Sequence, residues 1–202
     1  MTDIEKKLRA HFSPNDLEWR VARAGKGGKG VWAQLLVYVT SRAVMNRLDE
    51  VFGPGGWTNQ ISYGPNGQVL CTIGAKIDGE WVFKTDGADE TEVEAVKGGI
   101  SGAMKRAGVQ WGIGRYLYEF GNTYAIVSES GKHRGQYKDN GAYVKFNYDI
   151  PDIHPRFMPG NEPWNTEGRD LDEGRHTPNN PTYEEKPATP GRRMMPRPGR
   201  RT

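Results

Sequence analysis

Five carboxylates crowd into residues 86–94: Asp86, Asp89, Glu90, Glu92 and Glu94. Clustered carboxylates can hold Mg²⁺ for a nuclease. No Glu-x-Lys element follows a strand here, as one common nuclease core needs. Acids in the first turn of a helix also complement its dipole. A helix start is therefore the simpler reading, with metal binding kept as the alternative. Gly25 to Gly30 reads Gly-Lys-Gly-Gly-Lys-Gly, like a phosphate loop at first sight. Val31 follows where Lys and then Ser or Thr are required, and a strand rather than a helix comes next. A flexible basic loop is expected, with a loose contact to a phosphate backbone as the alternative. His11, His133, His154 and His176 share no spacing, and Cys71 is alone. Neither an internal disulfide nor a thiolate zinc site can be built from these. No cofactor, no metal and no catalytic residue is expected, so the chain does not read as an enzyme.

The basic residues carry more. Lys97, Ser101 and Lys105 fall at i, i+4, i+8 of a helical pattern, with Arg106 beside Lys105. That face is either simply solvated or tracks phosphates. Gly98, Gly99, Gly102 and Gly108 lie on the same segment. Interior helix glycines cost about 1 kcal/mol each relative to Ala, so a packing reason is expected, such as close approach of another backbone. Lys132, His133, Arg134 and Lys138 sit in what reads as a polar loop before a strand, Ala142–Tyr148. Trp111, Tyr116, Tyr118, Tyr124 and Tyr137 are interleaved aromatics. Bases stack on such rings, although Trp111 and Tyr118 are expected in a core.

These residues need elements to hold them. Residues 31–40 read as a largely buried strand. Ser41 opens a helix with Val44, Leu48 and Val51/Phe52 on one stripe, closed by Gly53-Pro54. Trp57–Tyr63 and Gln68–Ile77 are strands joined by Gly-Pro-Asn-Gly. Asp78-Gly79 turns the chain into a third strand, Glu80–Thr85. Thr91 and Glu94 form a capping box ahead of a long helix bearing Val93, Val96, Ile100, Met104 and Ala107. The order predicts an α+β domain with helices against one face of an antiparallel sheet.

Composition sets the limits. The 202 residues hold 28 Lys+Arg against 25 Asp+Glu, a net of +3, which says little about partners. Nine of the 13 prolines lie beyond residue 151, and Gly191–Thr202 holds five Arg and no acid. That segment has few large apolar residues without periodicity, too little to offset the entropy of ordering it. A folded domain over 1–150 and a disordered tail over 151–202 are expected. No apolar run approaches the roughly 20 residues that span a bilayer. The acidic start, Met1-Thr2-Asp3-Ile4-Glu5, lacks the apolar stretch of a signal peptide. A cytoplasmic protein without membrane contact is expected.

Two stretches then combine: Tyr38–Trp57, YVTSRAVMNRLDEVFGPGGW, and Glu94–Tyr118, EAVKGGISGAMKRAGVQWGIGRYLY, with the Asp78-Gly79 hairpin between them. Together they resemble the Rad52 superfamily of single-strand annealing proteins, closest to its bacterial and phage Sak-type branch. The resemblance covers residues 5–125, and Lys105-Arg106-Ala107 followed by Trp111-Gly112-Ile113-Gly114-Arg115-Tyr116 is its most specific part. It implies a β-β-β-α core, an antiparallel sheet packed on a long helix, in subunits that close into a ring. It implies single-stranded DNA bound in a basic groove and complementary strands annealed without ATP, in homologous recombination and repair within a bacterial or phage-infected cell. Lys105 and Arg106 match the groove positions. The groove Arg of the preceding helix aligns with Ala43, leaving Arg42 one residue earlier as the candidate. Lys76 and Lys84 lie in the region of a second DNA contact of eukaryotic members. Lys97, Arg115, Lys132 and Arg134 complete the candidate DNA-binding set. The basic tail end is a candidate for a second DNA contact or for docking a single-strand-binding protein; a solubilising tail is the plainer reading. Protection of DNA ends without annealing, or a nuclease acting through the Asp86–Glu94 cluster, are the alternative functions.

Overall fold

A computed structural model describes residues 1–88 and 95–165, the side chains of 95–97 excepted. The expected capping box at Thr91–Glu94 and most of the acidic cluster lie outside the described residues, as do residues 166–202. The architecture is α+β with antiparallel pairing throughout. Three small sheets form rather than one: β1-β2-β6, β3-β4-β5 and β7-β9-β8.

A short helix, α1 (Asp3–Arg9), opens the chain, with Thr2 and Glu5 as a reciprocal capping box. It is too brief for a readable stripe. Next come β1 (Leu17–Gly27) and β2 (Gly30–Val39), paired from Leu17↔Val39 to Gly27↔Gly30. The flexible basic loop expected at Gly25–Gly30 is therefore a correction: these residues end β1, turn at Gly28-Lys29 and begin β2. Backbone pairing and the Trp32 ring over Gly25 order a stretch whose composition suggested none.

Helix α2 (Ser41–Phe52) is capped by Thr40, whose hydroxyl accepts from the Ala43 N–H, and ends at Gly53 with φ +71°. Ala43, Val44 and Leu48 face the core, and so does Arg47. Strands β3 (Trp57–Tyr63), β4 (Val69–Ile77) and β5 (Glu80–Ala88) follow as two hairpins. Asp78 and Gly79 take φ of 51° and 88°, the left-handed pair a two-residue hairpin requires. On β4 the side chains of Val69, Cys71, Ile73 and Ala75 are fully buried. They share one core with Val44 and Leu48 of α2 and with Ala103, Met104 and Ala107 of helix α3 (Ala95–Gln110). The Met104 sulfur sits 3.6 Å from the Cys71 thiol, and burial pushes that thiol's pKa up to about 11. Fully burying a side chain such as Leu48 or Ile73 contributes about 1.5–3 kcal/mol.

After α3 the chain makes a 3-10 turn, Arg115–Phe120, then β6 (Thr123–Tyr124) and β7 (Ile126–Val127). Strands β8 (His133–Asp139) and β9 (Ala142–Asp149) form a hairpin through Asn140-Gly141. The polar loop expected at 132–138 is thus mostly strand. Its Tyr137 is buried with Phe146 and Tyr148 in a second core, which also takes Ala33 and Leu35.

Residues 151–165, assigned to the tail by composition, pack on the domain. Phe157 is buried and stacks on Phe120 at 4.2 Å. Glu162 is buried and accepts the His11 N–H at 3.0 Å. A few anchoring side chains suffice where average hydrophobicity is low. Among the described residues no helix is long and apolar enough to cross a membrane.

Candidate nucleic-acid interface

Lys105 and Arg106 project from adjacent positions of α3 into one cleft of about 540 Å³. Its opposite wall is β2, from Leu35 to Val39, and its end is the 114–123 segment. β6 pairs with β2 only at Gln34 and Leu35, so the cleft runs along the edge of β2 that β6 does not cover. Arg20 of β1 joins the lining. Leu36, Tyr38 and Tyr118 are exposed there. Tyr118, expected in a core, is 72% exposed, whereas Trp111 is buried as expected. The 3-10 turn replaces helical periodicity after Gln110, so one aromatic turns inward and the other out.

Each cation has a carboxylate partner. The Lys105 ammonium lies 3.8 Å from Glu18 and 5.5 Å from the centre of the Tyr38 ring. Burial holds its pKa below the usual lysine value, and the charge of Arg20 acts in the same direction, against Glu18. Arg106 donates from Nε to Asp86 Oδ1 at 3.0 Å, and Gln110 donates to the other oxygen at 3.0 Å. Burial acts to raise the Asp86 pKa, but donation from Gln110, the Gly87 N–H and Arg106 outweighs it and holds the carboxyl low. Asp86, the described member of the acidic cluster, is thus the counter-ion of Arg106.

The other candidates are dispersed. Arg42 lines a separate cavity of about 770 Å³ with Thr40, Ser41, Asn59 and Ser101. Glu18 also lines that cavity, so it stands between Arg42 and Lys105. Ala43, at the family's Arg position, is buried. Lys76 and Lys84 stand on opposite faces of the β3-β4-β5 sheet, opposite Trp81 and Ile73 respectively. Lys76 lies 5.4 Å from the Trp81 ring. Lys84 donates to the Gln110 carbonyl at 3.0 Å and lies 4.6 Å from the Trp111 ring. Burial, then the charges of Arg115 and Arg9, lower its pKa. Arg115 donates to the carbonyls of Val109 and Gln110, so it caps the C-terminus of α3. Lys132 and Arg134 belong to the β8–β9 region and are not among the cleft-lining residues. The Lys97 side chain lies outside the description.

Sequence reasoning missed Glu18, Arg20 and Tyr38 as parts of this site. The alternation Glu18-Trp19-Arg20-Val21 was the available signal for a half-buried strand carrying them.

Comparison with known proteins finds two relatives and one family. The single-stranded DNA-binding protein DdrA of Deinococcus radiodurans is 34% identical over 127 residues, 62% of this chain and 59% of the relative. DdrA of Deinococcus deserti is 32% identical over 121 residues, 59% of this chain and 58% of the relative. The chain thus spans just under three fifths of the length of these relatives. The family model described as Rad52/22 family double-strand break repair protein matches residues 1–135, the stretch that holds the cleft with Arg20, Lys105 and Arg106, and the chain belongs to that family.

Proposed function

We propose that this protein binds single-stranded DNA along the Lys105–Arg106 cleft and anneals complementary strands without ATP, in recombination and repair. The carrying observation is the cleft itself: two adjacent cations beside exposed Tyr38 and Tyr118. Each cation rests on a single carboxylate, an exchangeable partner that a phosphate can replace. Lys and Arg contacts to phosphate carry no sequence information and leave base edges free to test a second strand. Base pairing then drives annealing, with stacking of about 1.4 kcal/mol per step, so no hydrolysis is needed. The role is non-enzymatic, and DNA as the partner places the protein inside the cell.

A closed ring of subunits, with α3 and its sheet as the repeating wall, suits this role. Repetition adds weak phosphate contacts by multivalency, which lets a nearly neutral chain bind tightly. Arg42, Lys76, Lys84, Lys97, Arg115, Lys132 and Arg134 are secondary contacts in this reading. The arginines of 191–202 would add a sequence-blind contact or dock a single-strand-binding protein. Deleting 185–202 without loss of affinity, or of annealing on protein-coated strands, would remove both roles.

Strand annealing without ATP or metal tests the proposal. Two complementary fluorescent oligonucleotides should pair faster than spontaneously with the protein, and the acceleration should vanish at high salt. Tight binding without acceleration would favour end protection, a reading supported by the relatives' names, which state single-strand binding alone. Mg²⁺-dependent loss of end-labelled DNA would instead revive a nuclease.

A further inference from the structure

The face of β1–β2 that carries Glu18 and Tyr38 continues beyond the cleft. Directly opposed residues of antiparallel strands share a face. Glu18–Tyr38, Arg20–Leu36, Arg23–Gln34 and Gly25–Trp32 therefore stand on one side. The register shift between Val21 and Arg23 keeps Arg23 there; regular alternation from Arg20 would place Ala22 on that side instead. β6 adds Tyr124 opposite Gln34.

The far end of this strip is an aromatic corner. The Trp32 and Tyr124 rings are 6.4 Å apart and inclined at 68°, and Tyr124 is 42% exposed. Gly25 lies beneath Trp32: a Cβ there would stand 3.3 Å from the indole, so the glycine lets the ring lie against β1. Gln34 Nε2 donates to Asn122 Oδ1 at 2.8 Å beside the corner. Arg20 and Arg23 line the path between corner and cleft, with Glu18 as the acid on the same face. Tyr38 and Trp32 are six residues apart on β2. At about 3.3 Å per residue that is roughly 20 Å, room for several nucleotides.

We propose that the Trp32–Tyr124 corner is a base-stacking subsite, taking an unpaired nucleobase of the strand whose phosphates Lys105 and Arg106 hold. This rests on the single-strand reading above. Two observations choose the occupant. The strip is continuous with the cleft, and its arginines complement a polyanion rather than an apolar protein surface. Every base has a π-face, so such a corner grips without reading sequence.

The test compares an oligothymidylate with an abasic oligonucleotide of equal length, which keeps the phosphates and lacks the bases. The parent protein should prefer the oligothymidylate about tenfold, the order expected of one stacked base. Tyr124→Ser and Trp32→Leu should lose most of that preference with an unchanged salt slope, and Tyr124→Phe should keep it. Thermal melting checks that the variants fold; the exposed Tyr124 is the safer of the two. Equal binding of both oligonucleotides by the parent protein would overturn the subsite alone. Binding of neither would overturn the single-strand reading as well. A folded Tyr124→Ser that keeps the preference but changes assembly size would assign this face to a second copy of the chain.

Discussion

Lys105 and Glu18, 87 residues apart in sequence, meet at 3.8 Å where α3 faces the first strand. Burial pulls the ammonium's pKa down while Glu18 supports its charge. The same carboxylate competes with any phosphate that approaches Lys105. Glu18→Gln should therefore tighten single-strand binding at low salt. A partly exposed pair is worth about 0.2–1 kcal/mol, or roughly one-and-a-half- to fivefold. Fluorescence anisotropy across a salt series would show the gain shrinking as salt rises. Unchanged affinity at low salt would mean that phosphate does not displace Glu18.

Arg47 predicts a stability effect rather than a binding one. Its guanidinium is buried, donates to the carbonyls of Lys7 and Ala10 at 2.9 and 2.7 Å, and lies 4.2 Å from the Phe12 ring. It ties the end of α1 to α2. Arg47→Met keeps the volume but removes the guanidinium donor from both carbonyls, leaving that of Lys7 only the Ala10 N–H. The expected cost is about 2–4 kcal/mol, read as a lowered urea midpoint, with the single-strand salt slope unchanged.

Gly99 shows a packing reason for the glycine-rich helix, through a side chain rather than another backbone. A Cβ at that position would stand 2.6 Å from Cγ2 of the fully buried Val69. Gly99→Ala gains helix propensity but overpacks the core, for a net loss of about 1–2 kcal/mol. Val69→Ala makes the matching space. The double variant should be more stable than the sum of the two single losses predicts, a coupling that urea melts can resolve.

These contacts show what was legible in the sequence. β2, α2 and the three strands of the second sheet were readable because each carries its own apolar period and turn residues, as at Asp78-Gly79. β1 was not, because the register shift between Val21 and Arg23 and two glycines interrupt its alternation after Val21, and its order comes from pairing with β2. β8 hid for the same reason, its single buried Tyr137 answering to β9. Lys105 and Arg106 were found as neighbours on one helix. Their partners Glu18 and Asp86 were not, since pairing across 87 and 20 residues is set by tertiary folding rather than by spacing.

Glu162 gives a pH dependence of defined sign. Burial acts to raise its pKa, but N–H donation from His11, from its own backbone and from Gly160 outweighs this and leaves it below the ordinary 4.5. A depressed carboxyl contributes stability that is fully present above the unfolded pKa. That stability is lost as pH falls through the folded one. Glu162→Gln should cost about 1.5–3 kcal/mol at neutral pH. The gap between variant and parent should close as pH drops below 4.5. Thermal melting at several pH values measures it; a gap independent of pH would show that packing rather than charge holds residues 151–165 in place.

The double variant Lys105→Ala, Arg106→Ala bears on the cleft most directly. The two side chains sit on the cleft wall, with Arg106 57% exposed and Lys105 18%. Truncating Arg106 leaves Asp86 its donors Gln110 and Gly87, so folding should survive. Each phosphate contact on a single strand contributes about 0.7 to the slope of log affinity against log salt, so losing two should flatten it by about 1.4. Affinity should fall most at low salt, where counterion release contributes most. Assembly size should not change, because the substitutions remove cleft charge and leave the buried residues of α3, Ala103, Met104 and Ala107, intact. Normal affinity with a normal slope would move the DNA path off this cleft. A smaller assembly with weakened binding would instead place Lys105 and Arg106 between subunits.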